Sequence, residues 1–275
     1  MTSHRKATPV ESQLDAAEQA LDRGDFEEAL DICGMVLDRE PHHAGAHFLA
    51  ADALRDLREP HEAEQHYRAV LKVETQHAPS WSGLAGVLFD QLRYEESRIA
   101  ALRAIRCEPD FPEGYYIRAM LRERRGDESG ARRDYRKAFR LDPEGYPAPT
   151  RMDDSLVEAT VQQALMSVHP SIRAYLENVA FILEEVPDDE TCLSFFPPVS
   201  PAELLGYFSG SSLLERTTDL PFNNLPATVV LFRKNLERLA SDRDRLIEEL
   251  QITVLHEVGH FLGLDEEDLE QRGLD

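Results

Sequence analysis

Residues 81–109 read WSGLAGVLFDQLRYEESRIAALRAIRCEP, and this stretch decides the fold of the first half of the chain. Small and apolar residues recur at helical spacing on both sides of a short break, which predicts two amphipathic helices joined by a tight turn. Pro109 marks the end of the second helix, because proline cannot continue one. The stretch therefore predicts one pair of helices.

The same pattern returns every 34 residues, in four copies. A small residue recurs where the two helices cross, at Ala29, Ala63, Ser97 and Ala131. The closing position holds Pro41, Thr75, Pro109 and Pro143. In the first and last copies the turn carries Gly-Asp, at residues 24–25 and 126–127. One helix pair cannot bury its apolar face alone, so these copies predict a stacked superhelix with a concave binding surface.

This period and its small residues resemble the tetratricopeptide repeat. The signature positions of the first helix hold Trp81, Leu84, Ala85 and Leu88 in the third copy. The aromatic position of the second helix holds Tyr67 in copy two and Tyr135 in copy four. The resemblance covers residues 10–145 and implies an all-α superhelix that binds a protein or peptide. We expect no chemistry in this half.

Two groups of polar residues in the repeats do not fit the apolar repeat pattern. Arg118 and Arg122 stand where the repeat places leucine and a large aromatic residue, and they cannot both face a dry core unpaired. Either the last repeat is solvated there, or the arginines dock on the acidic second half. Six histidines scatter over turns and helix faces, and we expect surface or packing roles for His42, His43, His47, His61, His66 and His77.

Composition limits the partners and the compartment. The net charge is −22, with about −7 on residues 1–145 and about −15 on residues 146–275, which argues against nucleic acid and anionic membranes as partners. The three cysteines are far apart, which favours buried thiols in a reducing compartment. With neither a secretory leader nor a long apolar run, we expect a soluble cytoplasmic protein.

The second half predicts a small domain with helices and strands. The segment PEGYPAPT at 143–150 indicates a linker, and the proline-rich stretch 187–201 indicates a loop. We predict a helix at 153–168, strands within 177–186 and 227–234, and a short element at 202–210. A long helix then begins at a capping box formed by Ser241 and Asp244, and Gly263 ends it.

The end of this long helix reads HEVGHFLGLDEED, residues 256–268. Residues four apart share a helix face, so His256 and His260 can direct imidazole nitrogens at one metal ion. Glu257 lies about 100 degrees round the helix from His256, near the ion but not bound to it. There it can take a proton from water and give it to a leaving amine. The pattern predicts a zinc peptidase site, against the alternative of a solvated helix end.

A catalytic zinc ion needs a third protein ligand and an open position. Only fifteen residues follow His260, which excludes a glutamate on a distant later helix. A sharp turn at Gly263 would instead return a nearby acid to the ion. Glu266 stands where the metzincin pattern has its third histidine, and it is our predicted ligand, with Asp265 and Asp268 as alternatives.

From residue 150 to residue 275 the chain resembles the small zincin-like, minimal metallopeptidase domains found in bacteria. The resemblance is carried by VLHEVGHFLGLDEEDLE at 254–270, VVLFRKNLERLA at 229–240 and ELLGYFSG at 203–210. It implies a short mixed sheet packed on two helices, and an acid in place of the third histidine. No methionine follows Met166, so the Met-turn of true metzincins is missing.

Three functions remain open from the sequence. The first is a peptidase with one zinc ion, in which the repeats recruit a protein substrate or regulator and the strand at 227–233 pairs with an extended peptide. Tyr207 is a candidate oxyanion donor, although such a tyrosine more often packs. The second is an interaction scaffold whose metal domain no longer cleaves. The third is a non-haem iron site, against which Glu257 argues. The expected fold class is α+β overall.

Overall fold

The computed structural model describes residues 9–212 and 227–271. The chain forms two compact units, Met1–Tyr146 and Pro147–Asp275. The boundary falls inside the proline-containing segment 143–150. Among the described helices, none is long and apolar enough to cross a membrane.

The described part of the first unit is a succession of helix pairs. The helices are α1 (Pro9–Asp22), α2 (Phe26–Leu37), α3 (Ala44–Asp56), α4 (Pro60–Val73), α5 (Ala78–Asp90), α6 (Tyr94–Cys107), α7 (Pro112–Glu123) and α8 (Glu128–Leu141). Each even-numbered helix packs on the odd-numbered helix before it, and each odd-numbered helix from α3 onward also packs on the even-numbered helix before it. The predicted all-α repeat architecture is confirmed.

The core of this unit follows the 34-residue period. The small residues at the helix crossings are at most 2% exposed, at Ala29, Ala63, Ser97 and Ala131. Ser97 meets the polar requirement of its buried hydroxyl by donating a 2.7 Å hydrogen bond to the Ala85 carbonyl. The repeat signature is therefore a packing pattern, in which a small side chain lets two helices approach closely.

The turns inside the pairs share one backbone conformation. A positive φ, between 61° and 78°, recurs at Gly24, Arg58, Leu92 and Gly126. The residue that follows each of them donates its N–H to the carbonyl oxygen five residues earlier, at 2.8 to 2.9 Å. Left-handed backbone costs an ordinary L-residue about 1–2 kcal/mol relative to glycine. Two copies use glycine here, and two hold the same shape without it.

The arginine pair of the fourth repeat finds its partner inside that repeat. The guanidinium of Arg118 donates two hydrogen bonds of 2.7 Å to the carboxylate of Asp134 on α8. Arg122 lies 2.9 Å from the same carboxylate and also bonds the Gly130 carbonyl. The Asp134 side chain is 6% exposed, so this ion pair replaces the apolar contact that the repeat pattern has at this position. Solvation of the helix does not explain these arginines.

The second unit combines helices with three described strands. Its elements are α9 (Asp154–Ser167), α10 (Pro170–Leu176), β1 (Ala180–Glu184), α11 (Asp189–Ser194), β2 (Gly206–Ser209), β3 (Thr228–Phe232), α12 (Arg233–Leu239), α13 (Arg243–Leu262) and α14 (Glu266–Glu270). The predicted helix at 153–168 and both predicted strands are confirmed. The element predicted at 202–210 is β2. The stretch 187–201 is not all loop, because it contains α11.

The strands form a mixed sheet in the order β1–β3–β2. β1 pairs parallel with β3, and β2 pairs antiparallel with it, with Phe208 opposite Val229. The prediction of a short mixed sheet is confirmed. The prediction that the strand at 227–233 pairs with an extended peptide is wrong, because β3 is the central strand and neighbours already occupy both of its edges.

One core joins the sheet to two long helices, α9 and α13. Buried apolar residues on α13 include Leu246, Leu250, Val254, Val258 and Phe261, and they share this core with Val229 and Leu231 of β3. The helix begins at Asp242, whose carboxylate accepts a 2.9 Å hydrogen bond from the Arg245 N–H. The predicted capping box of Ser241 and Asp244 is therefore wrong by one residue. Both ends of α13 are fixed, and the motif lies in its last two turns.

Candidate metal centre

The two motif histidines present nitrogens to each other across one face of α13. The Nε2 atoms of His256 and His260 are 3.0 Å apart, and the rings meet edge to face. Both side chains are about a quarter exposed, so the nitrogens lie at the surface of the unit rather than in its core. This pair is the arrangement that the spacing of four residues predicts.

The helix ends in a turn that also orients one histidine. Gly263 adopts φ 90°, its N–H bonds the His260 carbonyl, and the Leu264 N–H bonds the Gly259 carbonyl, each at 3.0 Å. The chain therefore reverses direction directly after the motif. The Leu264 carbonyl oxygen then lies 3.3 Å from His260 Nδ1. An acceptor at Nδ1 places the ring proton there and leaves the Nε2 lone pair for a ligand.

The reversal returns an acid to the histidines. The Glu266 carboxylate oxygens lie 3.7 Å from His256 Nε2 and 3.3 Å from His260 Nε2. Within residues 9–212 and 227–271, this is the only group of three or more His, Cys, Asp or Glu ligand atoms that lie within 4.8 Å of one another. The Asp265 carboxylate caps α14 by accepting from the Asp268 N–H, and neither acid joins the group.

The donor set fits a zinc ion. Two imidazole nitrogens and one carboxylate are a known catalytic zinc set, and three protein ligands leave a fourth position open for water or substrate. The same set also fits iron in a facial triad, so the ligands alone do not choose between the two metals.

Glu257 is buried beside this group. It is 6% exposed, and the Phe208 backbone on β2 donates a hydrogen bond to its carboxylate. Burial raises the pKa of Glu257 to about 8, the Phe208 hydrogen bond opposes that rise, and the nearby Glu266 charge adds to it. A divalent cation at the site would favour the ionised form and lower this pKa. In the metal-free site Glu257 therefore ionises at a higher pH than an ordinary glutamate.

β2 supplies one residue to each side of the sheet. The Phe208 ring packs edge to face on Phe261 of the motif helix, with centroids 5.8 Å apart. Tyr207 points to the opposite face, where it stacks on Phe232 at 6.0 Å. Successive strand residues alternate faces, so Tyr207 is directed away from α13. It packs and does not serve as an oxyanion donor. Phe208 and Leu264 act through backbone groups, which no residue pattern in the sequence reveals.

The histidines of the repeats have local roles. His43 and His77, which are 34 residues apart, cap α3 and α5 by accepting from the Ala46 and Ser80 N–H groups, each at 3.2 Å. His47 and His66 share a 3.0 Å hydrogen bond between their Nδ1 atoms. Capping and packing account for these four residues, as expected from the sequence.

A polar cluster links α3 to α4 and to α7. The Tyr67 hydroxyl donates a 2.5 Å hydrogen bond to Asp52 on α3. Arg55 on α3 reaches the Glu113 carboxylate on α7, at 3.3 Å. Burial raises the pKa of the carboxyls of Asp52 and Glu113. Arg55 and Glu113 therefore form an ion pair between the first helices of the second and fourth pairs.

Two family profiles match the chain. The profile described as zincin-like metallopeptidase matches residues 176–274, and the profile described as tetratricopeptide repeat matches residues 14–79 and 49–112. Residues 176–274 are thus similar to zincin-like metallopeptidase domains, and residues 14–112 are similar to tetratricopeptide repeats. The zincin-like domain implies a bound metal ion, typically zinc, and the tetratricopeptide repeats imply an interaction with protein.

Solved structures similar to this chain are tetratricopeptide repeat proteins at low identity. The pilF protein of Pseudomonas aeruginosa is 21% identical over 56% of this chain and 66% of that chain, with a TM-score of 0.45. MamA from Desulfovibrio magneticus RS-1 is 19% identical over 59% and 86%, with a TM-score of 0.43. YrrB, a repeat protein with an unusual peptide-binding site, is 12% identical over 50% and 70%, with a TM-score of 0.43. No curated protein is similar enough in sequence to match.

Proposed function

We propose that this protein is a zinc-dependent peptidase whose tetratricopeptide repeats recruit a protein substrate or regulator. The observation that carries the proposal is the convergence of His256 Nε2, His260 Nε2 and the Glu266 carboxylate beside a buried Glu257. Three of these residues would bind a metal ion and the fourth would carry a proton, and a solvated helix end requires neither arrangement.

The three ligands would hold one zinc ion. Such an ion polarises a peptide carbonyl and makes water acidic enough to attack it near neutral pH. The open fourth position is where the substrate carbonyl or water would meet it. Glu266 brings a negative charge that a third histidine would not bring, so the site has one unit less of positive charge with which to acidify water.

Glu257 carries the proton. Its carboxylate takes a proton from the attacking water and donates it to the nitrogen that leaves when the peptide bond breaks. The hydrogen bond from the Phe208 N–H holds the carboxylate on the sheet side of the site.

β2 is the strand on which we propose that the substrate lies. Within the described residues it pairs only with β3, so an extended peptide could add to its other edge beside the Phe208 N–H, which already donates to Glu257. Phe208 on this strand contacts both Glu257 and Phe261 of the motif helix. A peptide that adds to β2 would therefore run next to the proton carrier, whereas one on β1 would lie beyond β3.

The repeats supply recognition. Stacked helix pairs form an extended surface for a protein or peptide, and in the described residues of this unit no group of three metal-ligating side chains occurs. Chemistry and recruitment are then divided between the two units of one chain.

The first experiment measures metal and cleavage in the full chain. We expect one equivalent of zinc in the purified protein and cleavage of a peptide library. The Glu257→Gln variant should keep its zinc, and its cleavage rate should fall by at least about a hundredfold. Glu249→Gln is the matched control, since Glu249 is also a buried glutamate on α13 but pairs with Arg245 away from the motif.

Each alternative has its own outcome in this experiment. Zinc bound without cleavage of any peptide would favour the scaffold, in which the metal only stabilises the domain. Iron at one equivalent would favour a facial triad. Cleavage that survives Glu257→Gln would refute the assigned proton carrier.

A further inference from the structure

A notch in the motif helix receives a side chain from the last described helix. A Cβ atom built on Gly259 would lie 2.3 Å from Cδ2 of Leu269, closer than two non-bonded carbon atoms approach in proteins. Leu269 is fully buried, at 0% exposed. Because Gly259 has no side chain, Leu269 of α14 can pack directly against α13 at this position.

This contact packs α14 against α13. The helix has five residues, which is too short to be stable alone in water. Its only buried residue is Leu269, which lies against Gly259 of α13. Within the segment, the Asp265 carboxylate accepts from the Asp268 N–H and the Asp265 carbonyl accepts from the Leu269 N–H.

Glu266 depends on α14 for its position. Its side chain is 78% exposed, so no packing holds the carboxylate next to the histidines. Glu266 and Leu269 are three residues apart and share a face of α14, the face directed at α13. When Leu269 enters the notch, the carboxylate arrives beside His256 and His260.

We infer that the contact of Leu269 with Gly259 positions the third ligand of the metal site. Leu269 is a positioning residue, because it acts through Glu266 and does not touch the ion. The inference rests on the proposed function, since it requires that a metal ion binds at this site.

The test is a double-mutant cycle on zinc affinity, measured by chelator competition in the full chain. Glu266→Ala and Leu269→Ala should each weaken zinc binding by about 10- to 100-fold, as loss of ligand support does at other metal sites. The double variant should bind no more weakly than Glu266→Ala alone. Cobalt in place of zinc should show the same altered visible spectrum in both single variants.

Gly259→Ala is a second route to the same displacement. Alanine strengthens the helix by about 1 kcal/mol relative to glycine, yet its methyl group would expel Leu269. Zinc affinity should therefore fall while α13 remains intact by circular dichroism. Leu269→Met, which conserves volume, should retain affinity within about threefold. Leu176→Ala is the control for a buried leucine in the main core of this unit, and its zinc affinity should match that of the wild type.

Several results would overturn the inference, and they are separable from failure of the proposed function. Wild-type affinity in Leu269→Ala, or additive losses in the double variant, would show that Leu269 does not act through Glu266. If Glu266→Ala binds zinc like the wild type, the third ligand is wrong and the inference falls with it. Failure of the wild type to bind zinc would remove the proposed function itself.

Discussion

In the repeats one structural role is filled by different residues in different copies, whereas in the motif each role belongs to one residue. The left-handed turn position holds glycine in two copies, Arg58 in another and Leu92 in another, and the turn is the same in all. The metal group has one set of three ligand atoms among the described residues. The backbone shape of the first unit is specified by several residues in repeated copies. The candidate metal site of the second unit depends on a single set of residues.

This difference decides what each half reveals about function. Redundant small and apolar positions define a stacked surface but leave the ligand open, because the packing pattern uses residues that face inward. The motif defines a reaction class but leaves the substrate open, because its residues face the ion and not the side chains of a peptide. Substitutions should therefore act abruptly in the motif and gradually in the repeats.

The largest effect should come from His260→Ala. Loss of one imidazole leaves the ion two protein ligands, and we expect zinc affinity to fall by more than about a thousandfold, with peptide cleavage lost. Chelator competition measures the affinity. His47→Ala, which breaks the histidine pair of the repeats, should leave zinc affinity unchanged. A normal zinc content in His260→Ala would place the metal elsewhere.

Asp134→Ala should have the largest effect in the repeats. It leaves Arg118 and Arg122 without their carboxylate, and we expect the unfolding free energy of the repeat unit to fall by about 2–3 kcal/mol. This lies below the usual range for a buried pair because both arginines keep access to water. Trp81, the single tryptophan, reports on this unit during urea unfolding. Asp110→Ala, which removes an exposed pair with Lys137, should change little. Equal effects of the two variants would contradict the burial argument.

The sequence predicts the regular parts of both units. The 34-residue period locates the helix crossings, because all four copies have the same spacing. The pairing of Asp134 with the two arginines is not predicted, because the repeat pattern has an apolar contact at this position. The apolar runs of β1 and β3 predict strands, and apolar residues at three- and four-residue spacing along α13 predict the long helix. The prediction of a loop at 187–201 misses α11, because the prolines on both sides of this six-residue helix indicate a loop.

The site is predictable to the extent that it depends on spacing along one helix. His256, Glu257 and His260 follow from helical geometry, and Gly263 indicates a reversal of the chain. The position of Glu266 depends on how far α14 folds back, which is decided by Leu269 meeting Gly259. The Phe208 N–H reaches Glu257 from a strand 49 residues away in sequence, and no local pattern signals that contact.

The polar cluster of the repeats should make stability depend on pH in a specific direction. Burial raises the pKa of Glu113 above its ordinary 4.5, while Arg55 opposes that rise. A carboxyl whose pKa is raised in the folded protein contributes stability at pH values below its ordinary pKa. That contribution is lost as the pH rises through the pKa of the folded protein. The stability of Glu113→Gln relative to the wild type should therefore increase from pH 4.5 upward, as measured by Trp81 fluorescence in urea.

A control of opposite sign is available for that titration. The Arg93 hydrogen bond lowers the pKa of Glu96 on α6, so its ionised form contributes stability above the ordinary value. That stability is lost as pH falls through the folded pKa. The stability of Glu96→Gln relative to the wild type should therefore decrease as the pH is raised towards 4.5. A relative stability of Glu113→Gln that is flat with pH would show that Arg55 compensates burial completely.

The smallest effect tests redundancy itself, through Arg58→Gly. The turn of the second copy would then match the first, and removal of left-handed strain should stabilise the repeat unit by up to about 1 kcal/mol, less any contact of the Arg58 side chain that is lost. Gly24→Ala is the reciprocal change. Nothing lies within 4 Å of the added methyl group, so a loss of about 1 kcal/mol there would come from backbone strain alone. If the two variants shift the urea midpoint in the same direction, the four turns are not equivalent and the copies do not share one backbone rule.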